Sequence, residues 1–476
     1  MDHLVPVPVE VRAVPGDDFA VTAGVGVRAG GAAAAVGELL AEVLRDATGF
    51  AVPVDEARGA IALTIDDGIG HPEEYRLAVT RDGVALTAGT ARGLFAGVQT
   101  LRQLLGEPWA FAGGVVRDRP RFAHRGVMLD VARHFFTVAE VRRFIDGISR
   151  YKINVLHLHL TDDQGWRIEI ERWPRLAAVG GATQVGGGPG GFYTQREYRE
   201  LVDYAAARNV TVIPEIDLPG HVNAALVAYP ELGPAGVAPA PFTRHGNAKG
   251  FSSLAIDQEV TYRFVDDVLR EVAALTPGPY LHLGTDETHA TPEDGFLAFL
   301  ARVLPMASQH GKAVIGWHEI LRATPPASVI PQYWGRDSSD ERMAAAVARG
   351  SRVVLSPAHK VYLDMKYDPG TPIGFDWAAF IEVADVYDWD PGTYLAGVPE
   401  AAVHGIEGPL WSETLRSYRD AEYLAFPRVA ALAELAWSPR AKHDWPDFAR
   451  RLAAHGPRWT AEGVNFHRSP QIAWVD

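Results

Sequence analysis

The 476-residue sequence predicts an α/β protein, a (β/α)8 TIM barrel preceded by a small α/β domain. Three observations carry that expectation. Beyond residue 118, short and nearly continuous apolar runs alternate with amphipathic stretches, the pattern of a parallel sheet covered by helices. Eight such runs occur, which suits a closed barrel. None of them is followed by a Gly-rich phosphate loop, which weighs against a doubly wound open sheet.

The elements follow in order. Within 1–118, residues 32–48 have helical spacing (Val36, Leu39, Leu40, Val43, Leu44), and 61–65 alternate like a strand. Tyr75, Leu77 and Val79, then Arg81-Asp82-Gly83, then Val84 and Leu86 predict a hairpin whose turn is supplied by Asp-Gly. Leu94, Val98, Leu101 and Leu105 mark a second helix. This unit gathers no catalytic residue types and is expected to be non-catalytic, ending at the polar, Pro-broken Arg117–Arg121. The catalytic barrel is expected over 119–476, with strands at 126–132, 154–160, 210–216, 280–283, 313–317, 329–334, 352–355 and 403–410. Helices are expected at 139–151, 195–208, 260–274 and 341–349. The Gly-rich 185–191 and the stretch 232–249 are expected to be long loops, of the kind that line an active-site face.

Composition narrows the function. A formal net charge of -14, without long acidic blocks, argues against nucleic acid and anionic membranes as partners. No cysteine is present, so disulfides, thiolate chemistry and Cys-based metal sites are excluded. No run approaches the roughly 18 apolar residues of a membrane span. The N-terminus lacks the basic and apolar regions of a signal peptide. A cytoplasmic location is the expectation, with secretion the alternative if a leader has been removed.

The most informative stretch is Leu281-His282-Leu283-Gly284-Thr285-Asp286-Glu287, an apolar strand running out into two adjacent carboxylates. Two acids side by side at the mouth of a buried strand cannot easily both be ionised, so one can hold a proton and act as a general acid. Barrel enzymes carry their functional groups at the C-terminal ends of strands. Those ends hold Asp130 and Arg133; Asp162, Asp163 and Trp166; Glu215, Asp217 and His221; Trp317 and Glu319; Trp334; Tyr362 and Asp364; and Trp411 and Glu413. Carboxylates grip sugar hydroxyls and offset oxocarbenium charge, while indole faces stack on a pyranose. Of the twelve tryptophans only Trp109 precedes the barrel, which points to a carbohydrate pocket.

The motifs then become specific. The run 125–135 (RGVMLDVARHF) resembles the first barrel strand of family 20 glycoside hydrolases, the β-N-acetylhexosaminidases. The runs 157–167 (HLHLTDDQGWR), 214–221 (PEIDLPGH), Gly316-Trp317 and Leu410-Trp411-Ser412-Glu413 match the same family, in the same order. One departure is Thr285, where the family usually has a second glycine; a β-branched residue there is expected to restrain the backbone or crowd the pocket.

The resemblance implies an exo-acting retaining enzyme that releases terminal GlcNAc or GalNAc, with the substrate's own 2-acetamido oxygen as nucleophile. It implies Glu287 as acid and then base, Asp286 holding the acetamido N–H, and Tyr362 donating to the acetamido oxygen. Trp317, Trp334 and Trp411 would wall the acetamido pocket. Arg133 and Glu413 would bind sugar hydroxyls, with Asp364 and Trp377 completing the sugar site. Asp162 and His221 would form a supporting pair behind the acid, although His221 could instead cap the next helix. Since neighbouring strand residues face opposite ways, the strand must end or bend at Asp286-Glu287. No cofactor and no metal are expected. His157-x-His159 resembles the metal motif of amidohydrolase-type barrels, but it lies on the second strand and lacks the later Lys and His ligands. The alternatives are a relative that cleaves a disaccharide or modified sugar, a chelator-sensitive amidohydrolase, and a weakly active sugar-binding relative. The oligomeric state is not fixed by the sequence.

Overall fold

The computed structural model describes residues 1–235, 239–244 and 250–475. Its first unit is a seven-stranded mixed sheet. In spatial order its strands are Glu10–Ala13, Gly114–Asp118, Tyr75–Thr80, Gly83–Ala88, Ile61–Ile65, Val27–Arg28 and Val54–Asp55. Helices Ala34–Thr48 and Ala91–Leu104 pack their apolar stripes on it, burying Leu40, Leu44, Leu94, Val98 and Leu101 with Leu63, Leu77 and Leu86. The hairpin turn differs from expectation by one residue. Thr80 pairs with Gly83, so Arg81 and Asp82 form the loop and Gly83 already belongs to the strand.

The second unit is a closed barrel of eight parallel strands. They are β1 (His124–Asp130), β2 (Val155–His159), β3 (Thr211–Glu215), β4 (Tyr280–His282), β5 (Ala313–Trp317), β6 (Ile330–Tyr333), β7 (Val353–Leu355) and β8 (Val403–Leu410). β8 closes on β1, with Arg125 beside Ile406 and Val127 beside Gly408. The expected helices appear as Val138–Ser149, Gln195–Ala206, Glu259–Leu275 and Glu341–Ala348. The first two open on full capping boxes, Thr137 with Glu140 and Thr194 with Glu197.

β1 begins two residues before the expected start because His124 and Arg125 are polar yet buried. His124 Nε2 lies 2.9 Å from Glu407 Oε2, and the Arg125 guanidinium meets Glu73 of the first unit at 2.5 Å. The strand stops at Asp130 because that carboxylate accepts the N–H groups of Ala132 and Arg133 and draws the chain out of the sheet. The two units share further buried contacts. Asp118 of the first unit accepts from Trp437 Nε1 (2.9 Å) and Lys152 Nζ (3.0 Å) of the second, and from Tyr75 Oη (2.8 Å) of its own.

Part of the expected 232–249 loop, residues 236–238 and 245–249, lies outside the described residues. The Gly-rich loop lies on the open end of the barrel, where Val185 N–H donates to the Arg133 carbonyl (2.9 Å). Among the described residues no helix is long and apolar enough to cross a membrane.

Candidate active site

Inward-facing residues of the barrel form layers. The lower layer is apolar, made by Val155, Ile213, Ile315, Ile330 and Val354. Two residues further along the same strands, the inward positions become His157, Glu215, Trp317, Gln332 and Ser356, joined by His282 and Glu407. There His157 Nδ1 lies 2.8 Å from Glu407 and its Nε2 3.0 Å from Glu215. His159 spans Glu215 (2.5 Å) and Asp162 (2.8 Å). Glu215 also takes Trp317 Nε1 (3.0 Å) and sits 3.1 Å from His282 Nδ1. Gly126 is what β1 contributes at this level, since a Cβ there would fall 2.5 Å from Glu407 Oε2.

Burial alone would lower the two histidines. Glu407 and Glu215 instead hold His157 up at about 9, and Glu215 with Asp162 hold His159 up at about 10. Burial would raise Glu215, but His159, His282 and His157 keep it well below the usual carboxylate range. Among the described residues the ligating atoms of His157, Glu215 and His282 lie close enough to hold a cation. The ion pairs and hydrogen bonds just given account for the same arrangement without one.

Above this layer β4 ends at His282, and the chain bends sharply. Gly284, Thr285 and Glu287 have φ of 63°, 83° and 42°. Only glycine passes at 284, where a Cβ would fall 1.8 Å from Asp217 Oδ1. That same oxygen accepts the Thr285 N–H at 2.9 Å. Burial, then the charge of Asp286, holds Asp217 well above the usual carboxylate range, so a neutral carboxyl supports the bend. Left-handed residues on either side of Asp286 swing both carboxylates into one cavity, as the sequence requires. Thr285 is fully buried and does not line that cavity; its Oγ1 is 3.5 Å from the Trp317 carbonyl. The threonine therefore restrains the backbone and does not crowd the pocket.

The cavity measures about 380 Å³. Arg133, Asp286, Glu287, Trp317, Trp334, Tyr362, Asp364, Trp377, Trp411 and Glu413 all line it. Trp317 and Trp411 stand 5.8 Å apart at 40°, and Tyr362 meets Trp377 edge-on at 5.8 Å. Tyr362 is anchored from beneath, since Leu363 N–H donates to the Pro409 carbonyl of β8 (2.7 Å). Phe375 N–H donates to the Asp364 carbonyl (2.9 Å), which folds Trp377 back over the tyrosine. Burial, then the charges of Asp364 and Asp286, raises the Tyr362 hydroxyl well above its ordinary value, so it remains a donor.

Arg133 is clamped by Asp162 (2.7 Å) and Asp130 (3.3 Å) and lies over the Trp411 ring at 4.9 Å. Asp162 also holds His221, with Nδ1 at 3.3 Å from Oδ1. His221 Nε2 faces Glu287 at 3.7 Å and Asp286 at 3.9 Å. Burial would lower His221, but Asp162, Asp286 and Asp217 raise it well above its ordinary value, so an imidazolium stands behind the pair. Burial would raise Asp162, but Arg133 and His221 hold it well down. His221 does not cap the next helix: Asn223–Ala228 has Val222 at its N-cap and no side-chain capping bond.

Two sequence descriptions match the chain: "Glycosyl hydrolase family 20, catalytic domain" over residues 122–440 and "Glycosyl hydrolase family 20, domain 2" over residues 2–119. The chain belongs to glycosyl hydrolase family 20. It is 40% identical over 482 residues to a β-N-acetylhexosaminidase of Cellulomonas fimi, covering 99% of this chain and 97% of that one. The structure of the Streptomyces plicatus N-acetyl-β-hexosaminidase in complex with Thio-NAglucal superposes with a TM-score of 0.97 at 50% identity, covering 100% of this chain and 98% of that one. A family 20 exo-β-N-acetylglucosaminidase of Vibrio harveyi, in complex with N-acetylglucosamine, gives 0.87 at 30% identity, covering 98% and 78%. As a family 20 member the chain is a glycoside hydrolase of the β-N-acetylhexosaminidase type.

The cavity of this family 20 chain also contains Phe375 and Asp376, which strand ends do not reveal. Both lie on the connection leading to Trp377, whose path is set by the backbone bridge between Met365 and Phe375. Adjacency to Trp377 was the one signal available in the sequence.

Proposed function

We propose that this hydrolase removes single β-linked GlcNAc or GalNAc residues from non-reducing ends, with retention, through an oxazolinium intermediate formed by the substrate's acetamido group. The observation that carries the proposal is the left-handed bend that turns two consecutive carboxylates into one indole-walled cavity. A pocket of about 380 Å³, closed below by buried Trp317, suits one acetamido sugar and supports exo action over cleavage within a chain.

In the first step the acetamido oxygen attacks C1 while Glu287 gives its proton to the departing glycosidic oxygen. Asp286 accepts the acetamido N–H and offsets the positive charge that spreads over the new ring. Tyr362 donates its hydroxyl to the acetamido oxygen and sets the angle of attack. Trp317, Trp334 and Trp411 hold the methyl end and exclude water. In the second step Glu287 takes a proton from the water that attacks C1, and the sugar leaves with its original configuration. His221, held by Asp162, stands where its charge favours ionised Asp286 and the Glu287 carboxylate that exists between the two steps. Arg133, Asp364, Trp377 and Glu413 bind the sugar's hydroxyls and faces. The division of the chain at residues 118 and 119, with a non-catalytic first unit, belongs to the same proposal.

The test is release of p-nitrophenol from the β-GlcNAc glycoside and from the β-glucoside, with and without chelator. Rapid cleavage of the first alone, unaffected by chelator, is the expected result. Equal cleavage of both would remove the neighbouring-group mechanism, and loss of activity in chelator would favour a metal-dependent enzyme.

A further inference from the structure

Glu319 lies two residues past the end of β5, and the mechanism above leaves it without a role. Its Oε2 accepts the indole N–H of Trp334 at 3.0 Å, and His318 Nδ1 lies 3.5 Å from the same oxygen. Trp334 forms part of the cavity wall, whereas Glu319 stands behind it. The indole also meets Trp377 edge-on at 6.3 Å and His318 at 5.6 Å. The ionisable groups facing Glu319 are Asp286 and Glu287 from the loop after β4, His318 from its own turn and Tyr362 from the segment after β7. Among the described residues no lysine or arginine lies within ion-pair distance of it.

We infer that Glu319 is a positioning residue of this hydrolase, which fixes the plane of Trp334 as pocket wall through the indole hydrogen bond. Burial, then the charges of Asp286 and Glu287, pushes its carboxyl up to about 8. Burial pulls His318 down to about 4, so the imidazole offers no compensating charge. An ionised Glu319 would stand beside Asp286 with no lysine or arginine among the described residues to meet it, and hydrating it would require water behind the indole. A sugar seated against Trp334 would displace water from the cavity beside it, so the bound form should hold the Glu319 proton more tightly than the free form. Substrate affinity is therefore linked to that proton and weakens as pH rises through it. An amide in place of the acid would still accept the indole N–H but could not ionise.

The inference rests on the proposed activity, and its test separates the two. Kinetics of the parent, Glu319→Gln and Glu319→Ala are measured on the p-nitrophenyl β-GlcNAc glycoside across the neutral and alkaline range. Leaving the indole N–H unpaired in Glu319→Ala should raise KM about 10-fold at pH near 6, a gap that narrows as the parent's KM rises around pH 8, with kcat changed by less than about 3-fold. Glu319→Gln should restore most of the binding at pH near 6 and abolish the rise in KM that the parent shows around pH 8. Tryptophan emission of the parent should titrate near pH 8, and that step should vanish in both Glu319→Gln and Trp334→Phe. A parent-like KM in the Ala variant, or a parent-like alkaline rise in the Gln variant, would overturn the inference. Should the parent cleave no hexosaminide, the proposed activity fails, and the emission titration alone then decides whether Glu319 carries a proton against Trp334.

Discussion

Two layers of the same barrel, one turn of the pleat apart, are built on opposite principles. The lower layer of Val155, Ile213, Ile315, Ile330 and Val354 is packed hydrocarbon. The upper layer, starting with His157 and Glu215 on the same strands, is a buried net of charges around Glu215 and Glu407. Buried ion pairs are poor sources of net stability compared with well-packed apolar groups, but breaking one leaves an uncompensated charge. The difference teaches that the barrel is held together from below and aimed from above. The upper net continues through His159, Asp162 and His221 to within 4 Å of Asp286 and Glu287. The first α/β unit resembles the lower layer, being apolar in its core and remote from the cavity.

Substitutions at matched heights put this contrast to the test. The largest effect is expected at the top, where Asp286→Asn should lower kcat on the β-GlcNAc glycoside by about 10²–10³-fold without a matching loss in melting temperature. Unchanged turnover in that variant would defeat the substrate-assisted assignment. Next, Glu215→Gln keeps the shape of the middle layer but strands the charges of His157 and His159. A loss of about 3–5 kcal/mol in stability is expected, with kcat reduced as well, read by urea unfolding and steady-state rates. Two residues away on β3, Ile213→Ala should cost about 2–4 kcal/mol and leave kcat/KM unaltered wherever the protein is folded. If both β3 variants behaved alike, the two layers would not differ in kind.

The smallest effect, and the most diagnostic, is on pH dependence. His157 and His159 have folded values raised to about 9 and about 10, above the unfolded value of about 6.5. Their stabilisation is complete below the unfolded value and is lost as pH climbs through the folded ones. Glu215 and Asp162 are depressed, so their contribution is present above the ordinary carboxylate range and fades as pH falls. Urea midpoints of the parent should therefore fall between about pH 6.5 and 10, and the slope should shrink in Glu215→Gln while surviving in Ile213→Ala. A parent curve flat over that interval would show that the histidines are not held charged.

Much of the fold was legible because apolar strands repeat with period two and helices with period 3.6, both local properties. All eight barrel strands lie within two residues of their expected bounds. The misses come from partners that the local sequence does not show. β1 starts early because His124 and Arg125 are paired across distances that no window of sequence spans, 283 residues to Glu407 and 52 to Glu73. The Asp-Gly hairpin turns one residue early because the register pairs Thr80 with Gly83. The cavity residues were legible because strand ends carry the chemistry of a barrel; Phe375 and Asp376 were not, since a loop's return path depends on the backbone it meets.

The sequence by itself determined the strand count, the order of chemical groups and the pairing of Asp286 with Glu287, because covalent neighbours and periodic burial are written along the chain. Only the tertiary structure decided that both carboxylates face one cavity, that Asp217 supports the bend beneath them, and that Glu319 holds the Trp334 wall. Those outcomes depend on backbone torsions and on charges brought together from distant strands, and a side chain's ionisation follows the field of its neighbours in space, not in sequence.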